Sequence, residues 1–257
     1  MIPILRKIKI LGICGSPRSN GNSQYLLDCG LQASEQKYGE LIEVQQSSFK
    51  GKKILPCLSC FRCSEGDSVG ECVIHDDFQN LRDLWIEADV IIYSMPVYHY
   101  GIPGQVKCFL DRLGNTLNRR FETTSPRLLK ILGAIVQGSH FAAGQESAVT
   151  FLAQHAILKN CIPVSGDGWQ SYLGACGWTL NSREKSALKD LVQNGNQDAQ
   201  LAVAASRSLC TRAIELALIV HFGAKELRLF LGEEPVYKPY LDRLEQGTMA
   251  AIKEKVI

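Results

Sequence analysis

Hydrophobic and polar residues alternate along the chain with two distinct periods. Uninterrupted runs of Ile, Val and Leu are separated by longer segments in which apolar residues recur every three or four positions. The runs are typical of strands buried on both faces, and the longer segments are typical of amphipathic helices. This alternation predicts a doubly wound α/β domain with a parallel sheet of five strands, at 8–14, 41–45, 89–94, 129–136 and 162–164.

Several residues mark the ends of the predicted helices. Asp76 or Asp77 can cap a helix that precedes the third strand, because a short polar side chain satisfies free amides at a helix amino end. Pro103 suits the first turn of the next helix, which we expect to end at Gly114. These helices lie between consecutive strands and are expected to cover both faces of the sheet.

The carboxyl-terminal third of the chain is less regular. A polar stretch at 181–198 predicts an insertion or a mobile connection, and a long helix is expected to follow it, at 198–222. The simplest division is a domain over 1–222, with a cysteine loop at 56–77 and a polar insertion at about 168–197, followed by a C-terminal extension over 223–257.

Composition and charge exclude several classes of partner. The 257 residues are 46% hydrophobic and 21% charged, which is the balance of a folded globular domain. A net charge of +2 leaves no broad basic surface for nucleic acid or an anionic membrane. The apolar run near the amino terminus is short and interrupted by charge, unlike a secretory signal or a membrane span. We therefore expect a cytoplasmic protein.

A loop of small and polar residues follows the first strand and leads into a helix. It reads GSPRSNGNS, residues 15–23, and combines hydroxyls, amides and the guanidinium of Arg18 with a helix amino end. Such groups attract and hydrogen-bond an anion, so we predict a phosphate site, although an ordinary strand-to-helix turn has a similar composition. The loop has neither the GK[ST] of a Walker loop nor the GxGxxG spacing of a dinucleotide fingerprint.

Two further loops follow the third and fourth strands and are expected at the same edge of the sheet. The first, SMPVYHYGIPG at 94–104, offers proline and tyrosine surfaces on which a planar ring could lie, or tyrosines that simply cover the sheet edge. The second, at 137–145, offers backbone donors to a polar ring edge. His99 and His140 in these loops are candidates for protonating a substrate, or are ordinary hydrogen-bonded histidines.

Four of the ten cysteines occur in the loop at 56–77. A C-x2-C-x2-C run lets one loop wrap three thiolates around a small inorganic core, and Cys72 can supply the fourth ligand, which suits a [4Fe-4S] cluster. A four-cysteine zinc site and free or redox-active thiols are the alternatives. The other six cysteines are expected mainly in strand or helix interiors, as small core residues.

Together, the three loops resemble those of the flavodoxin-like NADPH-dependent FMN reductase superfamily. The resemblance rests on GSPRxxGNS, then PVYxxxxPGxxKxFxDR, then a Gly-rich loop with GQE, over residues 7 to about 165, and the cysteine loop resembles that of the iron-sulfur flavoproteins. It implies a sheet of order 2-1-3-4-5, FMN as cofactor, and Cys57, Cys60, Cys63 and Cys72 as cluster ligands. The residues that match the FMN site are Ser16, Arg18, Asn20, Asn22, Ser23, Pro96, Val97, Tyr98, Tyr100, Gly138, Ser139, Gly144 and Gln145.

The same resemblance implies an FMN-dependent NAD(P)H oxidoreductase. One form of this activity is an iron-sulfur flavoprotein that passes electrons between FMN and a [4Fe-4S] cluster. A cluster-free reductase of quinones, nitro or azo compounds or flavin is an alternative. A non-enzymatic electron carrier is another, although many flavodoxins are strongly acidic and this chain is not. A small-molecule electron acceptor or a ferredoxin-like protein is the expected partner. Members of the superfamily are commonly homodimers or homotetramers, and we expect the same assembly here.

Overall fold

Six parallel strands form one sheet within residues 6–65, 69–121 and 125–246, the part of the chain that the computed structural model describes. The order β2-β1-β3-β4-β5 confirms the predicted flavodoxin-like fold. The central strands are buried almost throughout, because helices cover both faces. The strands are β1 (Ile8–Cys14), β2 (Ile42–Ser48), β3 (Val90–Pro96), β4 (Ile131–Gly138), β5 (Ile162–Val164) and β6 (Ala175–Trp178).

The sixth strand, β6, lies outside the five predicted strands. β5 pairs with the first half of β4, and β6 pairs with Ile135 to Gly138 in its second half. The two short strands therefore act as one edge strand that residues 165–174 interrupt. The sequence of β6, ACGW, contains no β-branched residue, so the hydrophobic pattern carries no strand signal there.

The helices form two layers, one on each face of the sheet. On one face, Trp85, Phe109 and Leu152 belong to one hydrophobic core, which α2, α3 and α4 cover. On the other, Leu27 and Leu209 belong to a second core, which α1 and α6 cover. The α-helices of the described part are α1 (Asn22–Tyr38), α2 (Phe78–Glu87), α3 (Gly104–Arg120), α4 (Gln145–Leu158), α5 (Ala187–Gln193), α6 (Gln197–Glu226), α7 (Arg228–Gly232) and α8 (Lys238–Gln246).

Helix α3 continues to Arg120, so the predicted end at Gly114 is wrong. The Lys159 ammonium, just after α4, donates a hydrogen bond to the carbonyl of Gly114 at 3.2 Å. A β-carbon at position 114 would lie 3.3 Å from that nitrogen. The glycine therefore permits close approach of Lys159 to α3, and tertiary packing outweighs its low helix propensity.

The polar stretch at 181–198 is not wholly irregular, because it contains α5, whose Leu188 packs into the core beside α1. The predicted domain boundary at 222 falls inside α6, which is continuous to Glu226. Residues 247–257 of the predicted extension lie outside the described residues. No helix in the described ranges combines the length and apolar character needed to cross a bilayer.

Buried charges attach α8 to the amino edge of the sheet. The carboxylate of Asp89 accepts hydrogen bonds from Arg6 Nη1 at 2.6 Å and Nη2 at 2.8 Å, and lies 3.2 Å from Nε of Arg243. Although burial opposes ionisation, the charges of Arg243 and Arg6 hold the pKa of Asp89 below its ordinary value. The extension thus packs against the edge opposite the predicted functional loops.

Candidate functional site

A pocket opens at the carboxyl edge of the sheet, where the loops after β1, β3 and β4 meet. The structure thus brings the three predicted loops to one place, as expected for parallel strands whose carboxyl ends share an edge. The residues of these loops that line the pocket are, in the order of the loops, Ser16, Arg18, Gly21 and Asn22; Pro96, Val97 and Tyr98; and Gln137, Gly138 and Ser139.

The first loop presents polar groups beside the amino end of α1. Ser16 is buried, and its hydroxyl oxygen accepts a hydrogen bond from the amide of Arg18 at 3.2 Å. The first turn of α1 contains no acidic residue, so the positive end of the helix dipole is not neutralised. Together with the guanidinium of Arg18, this arrangement suits a phosphate group.

The loop after β3 contributes a tight turn to the pocket. The backbone groups of Tyr98 and Gly101 hydrogen-bond reciprocally at 2.9 and 3.0 Å, and His99 and Tyr100 between them have φ of 45° and 64°. Positive φ at both central residues defines a type I′ turn, which normally contains Asn and Gly. Strained backbone of this kind concentrates at functional sites. Tyr98 lines the pocket and is 44% exposed, so its ring is accessible to a ligand.

Gly144 and Gln145 shape the third loop instead of lining the pocket. The Gln145 side chain donates to the carbonyl of His140 at 2.8 Å and accepts from the amide of Ala143 at 2.9 Å. Gly144 has φ of 109°, and a β-carbon there would lie 2.4 Å from Cα of Tyr100. Only glycine permits the second and third loops to approach so closely.

The remaining predicted residues lie beside the lining. Ser23 is buried, and its hydroxyl oxygen accepts from the Gln137 amide at 3.3 Å. His99 and His140 are exposed and do not line the pocket. The predicted flavin residues outside the lining are Asn20, Ser23, Tyr100, Gly144 and Gln145.

A fourth segment, which follows β6, completes the pocket and is absent from the predicted site residues. It is fastened to the first loop by Asn22, whose amide donates to the carbonyl of Glu184 at 3.0 Å and accepts from the amide of Leu188 at 2.9 Å. A strand assignment for residues 175–178 would have placed this segment at the same edge. Its lining residues are Thr179, Ser182, Arg183 and Lys185.

The cysteine loop forms a second pocket beyond the carboxyl end of β2. The sulfur of Cys57 accepts hydrogen bonds from the amide of Ser59 at 3.4 Å and from the side chain of Asn115 at 3.5 Å. Burial and the neighbouring thiols of Cys72 and Cys57 raise the pKa of Cys63. Residues 66–68 of this loop lie outside the described residues. The lining contains Cys57, Cys60, Cys63 and Cys72 together with Arg112, Asn115 and Thr116 of α3.

These thiols share a pocket without converging on a point. Among the residues that the structure describes, no three Cys, His, Asp or Glu side chains are grouped so that they could hold one metal ion. A zinc ion requires its four ligands within about 2.3 Å of a single centre. In a [4Fe-4S] cube each thiolate binds a different corner, so the sulfurs need only surround a larger core. The two kinds of centre thus make different demands on the four thiols, and the described residues contain no site ready for a single ion.

A buried ion pair closes the base of the cysteine loop. The side chains of Arg112 and Asp76 are 0% and 5% exposed, and their closest atoms are 2.7 Å apart. Arg112 also donates to the carbonyls of Leu55 at 3.3 Å and Ile74 at 2.7 Å, so one side chain joins both ends of the loop. Hydrogen bonds from Arg112 and from backbone amides outweigh burial and lower the pKa of Asp76.

Comparison with known proteins identifies the family. The sequence profile described as NADPH-dependent FMN reductase matches residues 8–166. An iron-sulfur flavoprotein of Methanocaldococcus jannaschii is 31% identical over 170 residues, which are 66% of this chain and 82% of that protein. An iron-sulfur flavoprotein of Archaeoglobus fulgidus is 31% identical over 175 residues, which are 68% and 85% of the two chains.

The fold is also found among solved structures. RosB, crystallised with 8-demethyl-8-formylriboflavin-5'-phosphate, superposes with a TM-score of 0.58 at 15% identity, over 97% of this chain and 92% of RosB. At that identity the similarity supports the architecture alone, and the family assignment rests on the sequence matches. The chain therefore belongs to the NADPH-dependent FMN reductase family, whose members are FMN-dependent NAD(P)H oxidoreductases.

Proposed function

We propose that this chain is an iron-sulfur flavoprotein, an NAD(P)H oxidoreductase that holds FMN in the first pocket and a [4Fe-4S] cluster in the cysteine pocket. One observation carries the proposal: the four cysteines of a single loop line one pocket, at the same edge of the sheet as the FMN pocket. Relatives that are named iron-sulfur flavoproteins support it.

The FMN pocket offers distinct surfaces to the two ends of the cofactor. The amino end of α1, Ser16 and Arg18 suit the phosphate, because they supply donors and positive charge. Pro96 and Tyr98 suit the flat isoalloxazine ring. When bound, FMN accepts a hydride as an electron pair and releases electrons singly. The task of these residues is to bind and orient it.

The cysteine pocket offers four thiols and, beside them, the polar groups that a cluster would use. Asn115 donates to the sulfur of Cys57, and hydrogen bonds to cluster sulfurs are one of the factors that set a cluster's reduction potential. Arg112 lies behind the thiols and joins Leu55 to Ile74, so the loop has a fixed base. Hydrogen bonds and packing behind metal ligands orient those ligands and tune their affinity for the metal.

Helix α3 connects the two pockets. It begins at Gly104, shortly after the turn that ends at Gly101, and Arg112 and Asn115 lie further along the same helix. At a rise of about 1.5 Å per residue, Gly104 and Arg112 are separated by about 12 Å along the axis. Helix α3 thus links the loop after β3 to the cysteine pocket.

Anaerobic purification tests the proposal. We expect a brown protein with broad visible absorption over the flavin bands, and iron and acid-labile sulfide in near-equal amounts. NADH or NADPH added without air should bleach the flavin. Cys60→Ser should lose most of the iron, because it removes one of the four proposed thiolate ligands of the cluster. Flavin binding should persist, since Cys60 does not line the FMN pocket.

Cys108→Ser is the matched control. Cys108 is a half-buried thiol of α3 that does not line the cysteine pocket, so this variant should keep its iron. A clean yellow flavin spectrum and no iron, both after anaerobic purification and after reconstitution with iron and sulfide, would contradict the cluster. It would favour a cluster-free reductase.

The homodimer or homotetramer, the cytoplasmic location and the small-molecule or ferredoxin-like electron partner stay predictions. Trp169 and Tyr172 are 66% and 76% exposed, and large exposed apolar side chains are typical of surfaces that contact a partner or substrate. Light scattering of the FMN-loaded protein measures the assembly. A monomer at micromolar concentration would contradict the predicted oligomer.

A further inference from the structure

We propose that residues 179–185, which lie outside the family-matched region 8–166, form a second wall of the FMN phosphate site, with Arg183 and Lys185 binding the phosphate together with Arg18. This inference rests on the proposed function of the pocket. It assigns cofactor-binding residues to a part of the chain that the family similarity leaves without a role.

Hydrogen bonds place this segment directly against the phosphate loop. The guanidinium of Arg18 donates to the carbonyl of Arg183 at 2.9 Å. The amide of Asn22 donates to the neighbouring carbonyl of Glu184 at 3.0 Å. Residues 183 and 184 therefore contact the loop at the end of the pocket where the helix dipole and Arg18 favour an anion.

Hydrogen bonds also fix residues 179–185 to the loop after β4. The amide of Thr179 donates to the carbonyl of Gly138 at 3.1 Å, and that of Asn181 donates to Ser139 at 2.6 Å. Thr179 to Ser182 form a second type I′ turn, in which Leu180 and Asn181 have φ of 49° and 66°. These hydrogen bonds, with those from the first loop to residues 183 and 184, hold this unfavourable turn in one conformation. The side chains that follow the turn are thereby preorganised.

The charges of the pocket fit a phosphate dianion. The lining of this pocket includes the cations Arg18, Arg183 and Lys185, and none of its side chains in the described part of the chain is acidic. A phosphate monoester carries about −1.5 to −2 charges at neutral pH and accepts hydrogen bonds through three oxygens. Arg18 alone leaves part of that charge unmatched, whereas the two cations of the second wall complete it.

Paired titrations with FMN and riboflavin test the proposal, because riboflavin lacks only the phosphate. We expect Arg183→Ala and Lys185→Ala each to weaken FMN binding by about 10-fold, and the double charge reversal Arg183→Glu/Lys185→Glu by much more, with riboflavin affinity unchanged. Truncation keeps the contacts of the segment, because the carbonyl oxygens of Arg183 and Glu184 accept them. The salt dependence of FMN binding should weaken in parallel.

Lys189→Ala is the matched control, since Lys189 is exposed on α5 and does not line the pocket. This variant should bind FMN as the wild type does. Equal losses for FMN and riboflavin, or FMN affinities equal to that of Lys189→Ala, would overturn the inference and leave the proposed function intact. A loss confined to turnover with NADPH would also overturn it. Wild-type protein that takes up no FMN would overturn the proposed function itself.

Discussion

The ion pair beneath the cysteine loop should make a large and measurable contribution to stability. In Asp76→Asn the carboxylate that faces Arg112 becomes a neutral amide of nearly the same shape. The carboxylate accepts from the amides of Leu55 at 2.8 Å and Phe78 at 3.0 Å as well as from Arg112. The amide group of asparagine has one acceptor oxygen, so at least one of these donors loses its partner.

Burial sets the magnitude of this effect. Removing one member of a fully buried ion pair typically costs about 3–5 kcal/mol, because the remaining charge stays out of water without compensation. The guanidinium of Arg112 is 0% exposed and is centred 4.2 Å from the ring of Phe78, so it cannot reach solvent without opening the loop. We expect Asp76→Asn to lower the free energy of unfolding by about 3 kcal/mol.

Urea unfolding at neutral pH, followed by circular dichroism, measures the change. The control is Asp111→Asn on the exposed face of α3, the helix that carries Arg112. Asp111 pairs there with Lys107, and both side chains are 46% exposed. That pair should contribute about 0.5 kcal/mol or less. If Asp76→Asn and Asp111→Asn have the same unfolding midpoint, the buried pair does not hold the loop and the reasoning is refuted.

Three further changes have defined outcomes. Gly144→Ala should cost about 2 kcal/mol or more in thermal or urea unfolding, because it places a β-carbon against Tyr100 at a positive φ. Gly223→Ala, in α6, should raise the free energy of unfolding by about 0.5 kcal/mol, because alanine favours a helix more than glycine does and a β-carbon there meets no atom within 4 Å. A loss of stability would contradict the open space at this position. Burial lowers the pKa of His155 from 6.5 to about 4, so the unfolded chain binds a proton first as pH falls. Stability should therefore drop by about 3 kcal/mol between pH 6.5 and pH 4, and the drop should be much smaller in His155→Gln, as urea titrations across that range measure.

The sheet could be predicted from the sequence because its central strands are buried on both faces. β1 and β5 have their predicted bounds, and β3 and β4 differ from them by one or two residues at each end. β6 could not be predicted in this way, because its residues include no β-branched side chain and its pairing partner, β4, is distant in the sequence. Gly114 shows the same limit, since the reason for a glycine within α3 is the approach of a distant lysine.

The candidate site was predictable to the extent that it follows strand ends. Ser16 and Arg18 follow β1, Pro96 ends β3, and Tyr98 follows it. All four residues therefore line the pocket at the carboxyl edge of the sheet. Arg183 and Lys185 lie in a polar stretch whose composition is that of an ordinary solvated loop. They reach the pocket because the segment follows β6, which ends at the carboxyl edge of the sheet. The loop-shaping role of Gly144 depends on contact with a separate loop, which local spacing does not encode.

Equilibrium titration of flavin-free protein with FMN tests the central claim most directly. The loops after β1, β3 and β4, with the segment after β6, should bind FMN stoichiometrically and quench its fluorescence. Binding should be tighter than for riboflavin and weaker at high salt, because charge recognises the phosphate. A folded protein that neither carries flavin when purified nor takes up FMN when supplied would contradict the account.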